Sequence, residues 1–139
     1  MRTSRRIGKL GPLLVLLLFL SSLPVHAASL LDGRTFAGET GEVGKATGEM
    51  DGFIFKDGTF RSTACDQYAF NAAPYTATKG AGGVIAFTVT TTSPKEGRMD
   101  WKGTVQGDAI DGTVSWSKAG QRTIAYWFKG AVKKPNLPS

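Results

Sequence analysis

The stretch RMDWKGTVQGDAIDGTVSWS, Arg98 to Ser117, alternates apolar and polar side chains twice, with a turn between the two runs. Met99, Trp101, Gly103 and Val105 fall on one side, and Asp100, Lys102 and Thr104 on the other. After Gln106-Gly107-Asp108 the pattern resumes, with Ile110, Gly112, Val114 and Trp116 set against Asp111, Thr113, Ser115 and Ser117. A period of two is that of a strand with one buried face, and it is incompatible with a helix period of 3.6. Two such strands joined by a short Gly-containing turn form an antiparallel hairpin. Gly103 and Gly112 stand on the apolar faces, and Gly130 stands on that of a later strand. Glycine there weakens a flat sheet but permits the sharp bends of a barrel corner.

The same pattern recurs along the chain. In GFIFKDGTFRS, Phe53 and Phe55 precede Asp57-Gly58 and Phe60 follows. Asp-Gly between alternating apolar residues predicts a hairpin with a type I′ turn. VIAFTVTTT is rich in β-branched residues, with Ile85, Phe87 and Val89 on one face. TIAYWFKGAV places Ile124, Tyr126, Phe128 and Gly130 together. No segment keeps a helical period, and the one helical candidate, TACDQYAF, is worth one or two turns. About eight strands separated by turn residues predict an all-β domain. Closure into a small antiparallel up-and-down barrel is favoured over a sandwich, because it leaves no open edges.

The first residues carry a targeting pattern. Arg2, Arg5, Arg6 and Lys9 precede an apolar run from Leu10 to Leu20, and Val25-His26-Ala27 offers small residues for cleavage. This predicts a signal peptide over residues 1–27, cut after Ala27, with the general secretory route favoured over the twin-arginine one. The barrel is then expected over 28–132 and a frayed polar tail over 133–139, with no membrane span after cleavage. The expected location is outside the cytoplasm, periplasmic or secreted. Four of the 17 basic residues lie in the leader. That leaves 13 against 11 acidic ones, a net charge of +2 in place of +6, so basicity gives no argument for nucleic-acid binding. The single histidine, His26, also lies in the leader. The remainder has no histidine for a triad or a metal site, and its one cysteine, Cys65, cannot form an internal disulfide or a structural zinc site. No catalytic residues, metal site or cofactor are therefore expected.

WKGTVQGDAIDGTVSW and YWFKG resemble the last strands of small lipocalin-like (calycin) barrels. FKDGTFRSTACDQYAF, APYTAT and TTSPKEGRMDWKGTVQGD resemble a group of short exported bacterial proteins of unassigned function, over most of residues 30–132. The resemblance implies an eight-stranded barrel outside the cytoplasm, and it carries no catalytic residues.

Two functions fit these residues. In the first, the barrel binds a small apolar ligand in its lumen, through Phe87, Met99, Trp101, Val114, Trp116 and Tyr126. An eight-stranded barrel is just wide enough for side-chain filling or for one small ligand. In the second, the protein is an inhibitor or an envelope-complex subunit that contacts a protein partner. Its contacts would be Trp127, which points outward if Tyr126 and Phe128 point in, and the charged loop TTTSPKEGR, Thr90 to Arg98, with Lys95 and Arg98. Cys65 is either a packed residue beside Tyr68 and Phe70 or an accessible thiol. Asp100, Asp108 and Asp111 cluster near one hairpin, but their spacing matches no calcium loop.

Overall fold

Asp57 and Gly58 both adopt positive φ, 52° and 74°, which is the type I′ turn that matches the twist of two adjoining strands. That turn joins β2 (Glu49–Lys56) to β3 (Thr59–Ser62) in the computed structural model, which describes residues 30–134. The remaining strands are β1 (Thr35–Glu42), β4 (Ala73–Lys79), β5 (Ile85–Ser93), β6 (Gly97–Gln106), β7 (Ala109–Ser117) and β8 (Ile124–Val132). Each pairs antiparallel with the next, and β8 returns to β1 from Phe36↔Val132 to Glu42↔Tyr126. The result is the closed eight-stranded up-and-down barrel expected from the alternation. The leader over residues 1–27 and its cleavage site lie outside the described residues, as does the tail from 135 on.

The helical candidate is one 3-10 segment, Thr63–Tyr68, which leaves the sheet where β3 stops. β3 and β4 share only two residue pairs, Thr59↔Pro74 and Phe60↔Ala73. Pro74 has no N–H to offer the ladder, and the chain beyond Ser62 turns across the barrel end instead of pairing. The charged loop is shorter than the sequence suggests. Thr90 to Ser93 belong to β5 and Gly97 and Arg98 to β6, so the connection is Pro94–Glu96. The β-branched threonines continue the strand, and inward-facing Thr91 accepts the indole N–H of Trp101 at 3.1 Å.

Aromatic rings fill the lumen. Phe60 lies 4.9 Å from Trp101, Phe55 5.1 Å from Phe87, and Phe128 5.3 Å from Phe53 and 5.4 Å from Trp101, all measured between ring centroids. These tilted and edge-on arrangements suit the ring quadrupole. Gly103 and Gly112 pair directly across β6 and β7. A Cβ at either position would come within 2.6 Å of Phe128 Cζ, and at 112 it would also collide with the Lys102 carbonyl. The two glycines make the space that the Phe128 ring occupies.

One barrel end is closed by residues that the strand pattern does not announce. Leu31 is fully buried beneath the rings. Its N–H donates to the Tyr75 hydroxyl at 3.1 Å, and that hydroxyl donates to Asp32 at 2.7 Å. Asp32 in turn accepts the N–H of Gly58, so the Asp-Gly turn and the plug hold each other. Burial first, and then the Asp32 hydrogen bond, raise the Tyr75 hydroxyl well above its ordinary range.

Gly112→Val should cost about 2–4 kcal/mol in denaturant melts, because the new side chain meets both backbone and the Phe128 ring. Gly58→Ala should cost only about 1–2 kcal/mol, since the space there is open and only the positive φ is strained. Equal costs at the two positions would contradict this packing.

Candidate functional site

The end opposite the Leu31 plug is open. Inward-facing residues climb β6 as Val105, Gly103, Trp101 and Met99, and β7 as Ile110, Gly112, Val114 and Trp116. The ring stack occupies this ladder up to Trp101 and Val114, and above them the lumen widens into a cup of about 580 Å³. Met99 and Trp116, a directly opposed pair, form one wall with Tyr126 beside them. Cys65, Tyr68 and Phe70, from the 3-10 segment and its exit, form the other. Glu42, Lys45, Thr47 and Glu49 stand at the rim.

Six residues were assigned to the lumen by alternation, and the structure separates them into two groups. Phe87, Trp101 and Val114 are each 2 % exposed and lie in the packed half, below the cup. Met99, Trp116 and Tyr126 are half-buried and line it. The Trp116 indole N–H donates to the Glu96 carbonyl at 2.6 Å, which fixes the ring in the lining of the cup. Ser93 Oγ donates to the Tyr68 carbonyl at 2.6 Å, and Lys118 pairs with Glu96 at 3.2 Å. The Pro94–Glu96 connection is thus tied down onto the mouth of the barrel.

None of the residues assigned to a partner surface lines the cup. Trp127 points outward as expected, but its indole lies over Gly41 and is only half-exposed. Its N–H donates to the Lys45 carbonyl at 3.0 Å, and Lys129 sits 5.2 Å from the ring centre. A ring laid over its glycine partner across the strand shields that backbone from solvent. Arg98 forks onto Asp100 at 2.8 Å, which holds the Asp100 carboxyl below its usual range. Lys95 is exposed.

Asp51, like Leu31, is a residue that alternation alone misses. Asp51 is 7 % exposed and shares the inward register of Phe53 and Phe55. Its carboxylate accepts Thr40 Oγ1 at 2.7 Å, Ser62 Oγ at 2.8 Å and the Ala64 N–H at 3.1 Å. It thereby fastens the point where the chain leaves β3 for the 3-10 segment. An acidic residue two positions before an inward Phe was the available signal. Among the described residues, no buried side-chain nitrogen or oxygen lacks a hydrogen-bond partner.

Cys65 is buried, with its sulfur 3.6 Å from that of Met99. Burial pushes its thiol from an ordinary 9.0 up to about 11, with Asp51 and Asp66 adding to the rise and the Ser62 hydroxyl opposing it. Burial likewise raises the Tyr126 hydroxyl, with the charge of Glu42 next in weight. Comparison with protein-family models, with curated proteins and with solved structures finds no match to this chain.

The thiol's position sets a pH dependence. The fold favours the protonated form, so this contribution to stability is complete below pH 9 and is lost as the pH rises through about 11. Alkylation of the native protein should be slow, and should accelerate by about tenfold per pH unit from pH 7 to 10. A rate that levels off near pH 9 would show an ordinary, accessible thiol.

Proposed function

We propose that this is an exported, non-enzymatic, lipocalin-like barrel that binds one small, largely apolar ligand in the cup above its aromatic stack. The observation that carries this reading is the cup itself, a concave space of about 580 Å³ walled by Met99, Trp116, Tyr126, Tyr68 and Phe70. Ligand sites are typically concavities of ~300–1,000 Å³, mostly apolar, with a few fixed polar groups. The cup has both parts, since its aromatic walls meet carboxylates and threonines at the rim. The packed half supplies rigidity, because rings held on all sides cannot rearrange to fill the cup. The surface residues Trp127 and Arg98 already have partners within the chain, which favours the cup over them.

Native mass spectrometry of protein purified from its own host should show a retained small-molecule mass. Trp116→Ala should weaken rebinding of that molecule by about ten- to a hundredfold, from the lost ring contact. Phe87→Leu should lower stability by about 1–2 kcal/mol and leave affinity unchanged. Bare protein from the host, or an affinity that follows Phe87 rather than Trp116, would contradict the assignment.

A further inference from the structure

The charges around the cup are unbalanced. Glu42, Glu49, Asp51 and Glu96 all contribute to its lining, against a single cation, Lys45. Lys118 neutralises Glu96 from outside. Lys45 touches Glu42 at 3.3 Å, but its side chain is 69 % exposed, and a pair of that kind contributes little and is easily opened. Neither Glu49 nor Asp51 has an ion-pair partner among the described residues. The three groups that bond Asp51 from elsewhere in the chain, two hydroxyls and an amide, are all uncharged donors.

We propose that the ligand of the cup is an organic cation, an alkylammonium-type molecule whose apolar body lies on Trp116 and Tyr126 and whose head group faces Glu42 and Glu49. This rests on the cup being the binding site. Aromatic faces attract a cation through the ring quadrupole, and the attraction strengthens once water is excluded. The rim carboxylates act on the same charge. Their field reaches into the cup, since Glu42 and Glu49 both add to the rise of the Tyr126 hydroxyl that burial begins. The chemistry favours a diffuse organic charge over a metal ion. Among the described residues, no three His, Cys, Asp or Glu side chains come together as metal ligands. An anionic amphiphile, such as a fatty acid, would meet uncompensated carboxylates and is disfavoured by the same arrangement.

Three probes of one chain length separate the terms: octylammonium, octan-1-ol and octanoate, titrated at pH 7 and low ionic strength by calorimetry. Octylammonium should bind about five- to tenfold tighter than octan-1-ol, and octanoate weakest. The double variant Glu42→Gln, Glu49→Gln should retain octan-1-ol affinity and reduce the ammonium preference to under about twofold. Trp116→Ala should weaken both octylammonium and octan-1-ol. Octan-1-ol binding as tightly as octylammonium, with both sensitive to Trp116→Ala, would overturn the cationic assignment and leave the cup standing. Failure of all three to bind, or binding indifferent to Trp116→Ala, would overturn the cup and the cation together.

Discussion

The ring of Phe128 fits into the barrel because residues 103 and 112 have no side chains. Their Cα atoms face each other across β6 and β7, and the ring occupies the space that two Cβ atoms would need. Phe128 then touches Phe53, Phe87 and Trp101, and through them the stack reaches Phe55, Phe60 and Tyr75. A second pair, Gly38 and Gly130, brings β1 and β8 close where the barrel closes. Small residues on the inner face thus do two things. They let the sheet curve tightly, and they let large rings interlock in a lumen that could otherwise hold only mid-sized side chains.

That packing divides the molecule. On one side the stack is sealed by Leu31, which Tyr75 and Asp32 hold against the Asp57-Gly58 turn. On the other, the 3-10 segment crosses the barrel mouth without filling it, because β3 ends at Ser62 and Asp51 directs the chain outward over the rim. The cup follows from this geometry, since its walls are the inward positions one step above the last packed layer. Met99 is one such step above Trp101, and Trp116 one above Val114. A solid base with a shaped mouth holds the residues of the candidate site in place, which would limit the ordering cost of binding for the ligand proposed above.

The strands were legible because period-two alternation is a direct record of one buried face. The sequence of Arg98–Ser117 announces β6, β7 and their turn, and FKDGTF announces the β2–β3 hairpin. Alternation identifies which residues face inward but not how far along the barrel axis each one sits. Alternation therefore groups Phe87, Trp101 and Val114 with Met99, Trp116 and Tyr126, although the first three lie in the packed half and the last three line the cup. Leu31 and Asp51 were missed for a different reason. Leu31 lies in a short turn with no period to read, and Asp51 is a polar residue in an apolar register, where partners from distant strands decide its fate.

The lumen divides into a packed half and an open cup. Xenon enters apolar voids that side chains leave empty, and its electron density reports where they are. A crystal of the protein under xenon pressure should show xenon against Met99, Trp116 and Tyr126, and none among Phe53, Phe87 and Phe128. Xenon lodged between the rings of Phe87 and Phe128, with the cup empty, would contradict the account.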